Sequence, residues 1–338
     1  MTRTLSTEGA GFLLDGQPFD MWGIRLANAL ENDRVTASLI PVLDDYARYG
    51  VNTFSVFLQG GSTGSANPFD ADGAFSTRTR RTECSDFFKG LGDVEGLCAR
   101  NQVMDRLARL IAEADARGMV VDVGIFYQAR IEQLADDSAV LEASRNVARW
   151  LAAKDYGNVF MDLVNEYGHP GFAGRPICYG RAERHATDGG EDLLKAFKAV
   201  LPHVPASISP CGNVMLDFPS ADLALIHTPF PPEEVRERMG RRLPVVLNEW
   251  GHTVIYGADA ESRGRYTREE VELWRRTVET VRDGGGYAFF HSPWKQHILE
   301  DGGPFFQVGP AGAQPHDPRG GAPSEHWYFE MVSRMRGL

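Results

Sequence analysis

The sequence predicts a (β/α)8 TIM barrel on three observations. Eight short apolar runs recur along the 338 residues, segments of helical periodicity stand between them, and no G-x-G-x-x-G follows the first run. The alternation argues for a parallel sheet covered by helices. The missing glycine pattern takes the main support from an open dinucleotide-binding sheet. Eight strands over this length fit one closed barrel, a single catalytic domain spanning 1–338 with no internal repeat or linker.

The elements follow in order. FLLDGQPF (12–19) is a lead-in whose Asp15-Gly16 pair suits a tight hairpin turn. The strand candidates are MWGIR (21–25), VNTFSVF (51–57), MVVDVGIF (119–126) and VFMDLV (159–164), then ASIS (206–209), LALIH (223–227), PVVLN (244–248) and YAFFH (287–291). Most are nearly continuous in apolar residues, as strands buried on both faces must be. ASIS is the shortest and least apolar.

The intervening segments carry helical stripes. In NQVMDRLARLIAEADARG (101–118), Val103, Met104, Leu107, Leu110, Ile111 and Ala114 share a face, and Gly118 suits the stop. Leu193, Leu194, Phe197, Val200 and Leu201 mark another stripe before Pro202. In TREEVELWRRTVETVRDGG (267–285), Thr267 and Glu270 have capping-box spacing, while Val271, Trp274, Val278 and Val281 form the stripe. A final helix runs from Ser324 through Trp327 to Met335, and Trp150, Trp274 and Trp327 are read as core. Two connections are long, 58–100 and 292–323. Both follow strand C-termini, where barrel enzymes build their sites.

Composition excludes several partners. A net charge of −11 disfavours a nucleic-acid backbone or an anionic membrane. Arg78, Arg80 and Arg81 are the densest basic run and read as a solvated loop. No apolar run reaches the roughly 20 residues of a membrane span, and MTRTLSTEGAGFLLDG lacks a secretory core, so a cytoplasmic location is expected. Cys84, Cys98, Cys178 and Cys211 are widely spaced with no C-x-x-C pair; reduced thiols are expected, and zinc spacing is absent. No cofactor or structural metal is expected, and the sequence does not specify an oligomeric state.

Residues at strand ends point to a shared mouth. They are Arg25, Gln59, Gln128, Asn165-Glu166, His227, Asn248-Glu249 and His291, with Trp294 just beyond. Two glutamates thus end the fourth and seventh strands, each preceded by Asn. Glycoside hydrolysis needs this pair, because the leaving oxygen needs a proton while positive charge develops at the anomeric carbon. The expected partner is therefore a carbohydrate.

VFMDLVNEYGHP (159–170) and LPVVLNEWGH (243–252) resemble the clan A glycoside hydrolases, which include family five, and GFLLDGQPFDMWGIR (11–25) is similar to the clan's opening hairpin and first strand. The resemblance implies a retaining enzyme with Glu166 as acid/base and Glu249 as nucleophile, and Asn165 bonded to the sugar 2-hydroxyl and to Glu249. The chain also departs from the family-five pattern. VNTFSVF lacks the arginine usual beside the nucleophile, and Arg25 is its substitute by chemistry. The third strand ends FYQ rather than in His, and Pro229 stands where a Tyr is often seen.

Other residues complete the expectation. Trp294 and Trp250 are candidate sugar platforms, because an aromatic face matches the C–H side of a pyranose. His227, His291, His169, His252, Tyr127 and Asn28 are candidate substrate contacts. Convergence of His169, His227, His252 and His291 would instead suit a metal-dependent barrel hydrolase. A non-catalytic glycan-binding barrel would keep the aromatics without needing both glutamates. The long connections would close one end of the cleft, favouring exo action on a soluble oligosaccharide or glycoside.

Overall fold

The computed structural model describes residues 2–61, 102–128, 130–250, 268–296, 304–309 and 325–338. The side chains of residues 102, 268, 293 and 294 lie outside that description, as do His252, Thr267, Cys84, Cys98, the arginines at 78, 80 and 81, and most of both long connections.

The chain opens with an antiparallel sheet of β1 (Leu5–Glu8), β2 (Gly11–Leu14) and β3 (Gln17–Phe19). Asp15 (φ 51°) and Gly16 (φ 75°) occupy the turn, as a two-residue hairpin loop requires. This sheet closes the N-terminal end of a barrel. Leu5 and Phe12 pack with Val120, Phe160, Val246 and Phe289 from the starts of four barrel strands, and the Phe12 and Phe160 rings lie 6.0 Å apart.

The barrel is an eight-stranded parallel sheet. Its strands are β4 (Gly23–Arg25), β5 (Thr53–Phe57), β6 (Val120–Phe126), β7 (Val159–Val164), β8 (Ala206–Ser207), β9 (Ala224–Ile226), β10 (Val245–Leu247) and β11 (Tyr287–Phe290). All eight coincide with the expected runs. Neighbours follow chain order, and β11 returns to β4 with Phe290 paired to Ile24. The ladder stops between β8 and β9, where Asp222 spans the gap: its N–H donates to Ala206 O at 3.0 Å and its carboxylate accepts from Ala206 N at 3.0 Å. Only two residues of ASIS join the ladder, consistent with its short apolar run.

Helices cover the outside. The described ones are α1 (Asp33–Leu39), α2 (Val42–Arg48), α3 (Gln102–Ala116), α4 (Asp137–Lys154), α5 (Pro176–Tyr179), α6 (Asp188–Lys198), α7 (Pro232–Met239), α8 (Arg268–Asp283), α9 (Pro293–Gln296) and α10 (His326–Arg336). The predicted stripe of α3 is wholly buried, and Gly118 (φ 69°) turns the chain after it. Asp136 caps α4 by accepting from Ala139 N at 2.9 Å, the interaction an N-cap carboxylate provides. No helix among the described residues is long and apolar enough to cross a membrane.

Candidate active site

The C-terminal ends of the barrel strands deliver the polar residues to one mouth. After β7 the chain turns sharply: Glu166 adopts a left-handed backbone (φ 58°), and Gly168 (φ 81°) follows. A non-glycine residue held there costs about 1–3 kcal/mol, a strain that concentrates at functional sites. The turn is fixed by His169 N–H donating to Glu166 O at 2.8 Å and Tyr167 N–H donating to Ser209 O at 2.8 Å. Glu249 follows β10 directly.

Arg25, at the end of β4, organises the mouth. Its guanidinium is 1% exposed, and Nη2 lies 2.7 Å from Glu249 Oε2. Nη2 also donates to Asn165 Oδ1 at 2.8 Å, and Nε donates to Gln296 Oε1 at 3.0 Å. The guanidinium rests on the Phe57 ring, 4.5 Å from its centroid. Arg25 therefore stands beside Glu249.

Asn165 is oriented differently from the expectation. Its amide nitrogen donates to Gln128 Oε1 at 3.2 Å rather than facing Glu249, and Gln128 Nε2 donates to Glu166 Oε2 at 2.5 Å. Every link runs donor to acceptor in one sense, from Arg25 through Asn165 and Gln128 to Glu166. A single guanidinium thus contacts one glutamate directly and the other through two amides.

The two carboxyls differ electrostatically. Burial, with the Glu249 charge second, pushes the Glu166 carboxyl up to about 7, against the opposing effect of Arg25. The Cys211 thiol lies beside Glu166, its sulfur within 4.8 Å of the carboxyl. Burial and then Glu166 raise this thiol to about 11, so it is a protonated donor rather than a nucleophile. His227 presents Nε2 at 3.7 Å from Glu249 Oε2. Burial lowers its imidazole to about 4, which keeps it neutral.

The remaining predicted residues divide. His169 lies near Glu166 and Cys211, and its Nδ1 accepts from Gly171 N at 2.9 Å. His291 is buried at the end of β11. Tyr127 is mostly buried, its ring set edge-on to Phe57 and its N–H donating to Gln59 Oε1 at 2.8 Å. Asn28 is fully buried and ties connections together, accepting from Gly61 N at 2.6 Å and donating to Gln296 O at 2.7 Å. Trp250 packs edge-on against Trp274 with centroids 4.7 Å apart. The Trp294 side chain and His252 lie outside the described residues.

Among the described residues, the set of three possible metal donors within 4.8 Å of one another is Glu166, His169 and Cys211. It does not contain His227 or His291, so the histidine convergence considered from sequence does not form there. Gly171 N–H donation to His169 Nδ1 places the neutral ring's proton on Nε2, which opposes a metal ligand at that atom.

Gln128, read from sequence as a strand-end residue of the mouth, belongs to the site, as do Cys211 and Gln296, which were not selected from sequence. Gln128 ends a strand and carried a signal. Cys211 and Gln296 lie beyond strand ends, where only the folded turns bring them in.

No family model matches the sequence, and no curated protein matches it. Solved structures do match. A Bacteroides vulgatus ATCC 8482 protein, named as a candidate glycoside hydrolase, superposes with a TM-score of 0.67 at 14% identity, covering 99% of this chain and 61% of that one. The shared fold is the (β/α)8 barrel. A family 5 glycoside hydrolase from the same organism gives a TM-score of 0.63 at 14% identity, over 99% of this chain and 70% of that one. A β-glucanase from Saccharophagus degradans, solved with cellotetraose, gives 0.55 at 12% identity over 100% and 94%. At such identities the likeness concerns the barrel's path, and the chemistry must be argued from the residues. The chain spans 61% of the length of the first of these structures.

Proposed function

We propose that this protein is a retaining glycoside hydrolase in which Glu249 is the nucleophile and Glu166 the acid/base. The observation that carries the reading is the asymmetry of the two carboxyls. Glu249 is paired with a buried guanidinium at 2.7 Å, while Glu166 is pushed up to about 7 by burial and by Glu249. A double displacement needs this division of one ionised and one protonated carboxyl.

In the first step a Glu249 oxygen attacks the anomeric carbon as Glu166 gives its proton to the departing glycosidic oxygen. This leaves a glycosyl ester on Glu249 and a carboxylate at Glu166. In the second, Glu166 takes a proton from water as the water oxygen displaces Glu249, restoring both groups. Gln128 donates to Glu166 and, with the Cys211 thiol beside it, favours its ionised form. His227 Nε2 has no hydrogen-bond partner among the described residues and faces the mouth beside Glu249, a position suited to a sugar hydroxyl.

The substrate class is carbohydrate, supported by the barrel fold shared with a β-glucanase solved with cellotetraose. A soluble oligosaccharide or glycoside fits best. The deciding experiment is Glu249→Ala assayed with azide on a panel of activated glycosides. Rescue that yields a glycosyl azide of inverted configuration supports the assignment. Undiminished hydrolysis by Glu249→Ala without azide overturns it.

A further inference from the structure

Two aspartates lie in the barrel interior near the glutamates, and neither reaction step uses them. Asp122 sits within β6 and Asp162 within β7, and both are 0% exposed. Their surroundings differ. Asp162 accepts from Ser209 Oγ at 2.7 Å, from Ser209 N at 3.0 Å and from Asn248 Nδ2 at 3.1 Å. Asn248 also faces Asp122, but neither Asp122 oxygen has a partner in hydrogen-bonding geometry among the described residues. The Arg25 charge favours ionisation of both aspartates, and the guanidinium is already paired with Glu249.

A carboxylate without donors and away from water does not stay ionised. Two buried carboxyls that repel each other titrate as one system. The donors fall on Asp162, so the proton belongs mainly on Asp122. We propose that Asp122 and Asp162 share a single proton, and that the one remaining negative charge is a second, standing counter-ion for Arg25. Both are then positioning residues for the nucleophile.

Burial supports this: it pushes Asp162 up to about 6 despite the Ser209 donors, and it pushes Asp122 well above the usual carboxylate range, with Asp162 adding to the effect. The charged group acting on the pair is Arg25 on β4, which itself meets Glu249; Asn248 after β10 and Ser209 after β8 are the neutral donors. A function follows, resting on the hydrolase reading above. When Glu249 becomes a neutral ester, Arg25 loses its 2.7 Å partner. The aspartate pair retains its charge and holds the guanidinium in place until water releases the sugar.

The test is carboxyl 13C NMR of the full-length protein labelled at aspartate, followed through a pH titration. The expected result is two buried resonances that move together, with one proton kept well above the ordinary aspartate value of about 3.9. Independent titration of both near that value would overturn the proposal, and this measurement needs no variant. Asp122→Asn mimics the neutral acid, so it should collapse the joint titration to a single step and slow release of the intermediate less than Asp162→Asn does. Asp162→Asn should slow release of the intermediate at least tenfold and reveal a burst of leaving group, by the tenfold-per-1.4-kcal/mol relation. The reverse ordering of the two variants would overturn the charge assignment. A wild-type protein that cleaves no glycoside would refute the hydrolase reading instead, and the joint titration would still decide whether the proton is shared.

Discussion

Arg25 and Glu249 meet across the barrel mouth at 2.7 Å, and the same guanidinium reaches Glu166 through Asn165 and Gln128. The first strand therefore supplies the cation that sets the geometry at both glutamates. Arg25→Met should lower kcat/KM by about 10²–10³-fold, the usual effect of removing one donor aimed at a reacting carboxylate. Arg25→Lys should recover little, since a compact ammonium cannot serve Glu249, Asn165 and Gln296 from one planar fork. Kinetics alongside circular dichroism test this; a lysine variant with native kcat/KM and native fold would refute it.

Glu166 links activity and stability to pH. In the proposed reaction its acid form acts first, so kcat/KM should fall as pH rises through about 7, the value to which burial and Glu249 push it. The same proton is held more tightly in the folded chain than in the unfolded one, where the ordinary value is 4.5. The stability it contributes is complete below about pH 4.5 and is lost as the pH rises through about 7, by up to about 3 kcal/mol. Glu166→Gln removes that titration. Its denaturation midpoint should fall less than that of wild type across this interval, while activity is nearly abolished. Parallel stability curves for the two proteins would contradict the assignment.

Much of the barrel is written locally in the sequence. Strands such as VVDVGIF and VFMDLV are buried on both faces, so their apolar runs are uninterrupted except where a residue serves the interior. Those interruptions, Asp122 and Asp162, were a readable signal, because an ionisable residue inside a buried strand has an energetic cost that demands a partner. The two glutamates were legible from strand ends. The orientation of Asn165 was not, since it depends on Arg25 and Gln128, which approach from other strands. Cys211 was equally hidden, because the turn after β8 that brings it to Glu166 has no periodicity.

The floor under Arg25 yields a third prediction. A Cβ at Gly124 would lie 2.0 Å from Phe57 Cδ1 and Cε1, and Phe57 carries the guanidinium on its face. Gly124→Ala must displace that ring, at a cost of about 1–3 kcal/mol for an overpacked core. Because the ring supports Arg25, kcat/KM should fall as well, although residue 124 contacts neither glutamate. Gly124→Ala combined with Phe57→Leu makes room for the methyl group and should recover stability more than activity. Thermal unfolding and kinetics on the single and double variants separate these effects.

The last prediction concerns an ion pair behind the mouth. Lys295 Nζ lies 3.0 Å from Glu325 Oε2, and both side chains are 2% exposed. The ammonium also donates to Phe305 O and Phe306 O at 3.3 Å and to Gln307 O at 2.5 Å, so it binds the 304–309 segment and the start of α10 to α9. Gln296, the next residue, accepts from Arg25 and carries the carbonyl that holds Asn28. Lys295→Met should cost about 3–5 kcal/mol, because it breaks a buried ion pair by removing one partner. Glu325→Leu added to it removes the remaining buried charge and should restore a large part of that loss. Activity should follow a different course. The carbonyls of 305–307 remain unanchored in the double variant, so Gln296 and Arg25 stay poorly placed and kcat/KM remains low. Recovery of both stability and activity would show that the ammonium holds the fold without positioning the site.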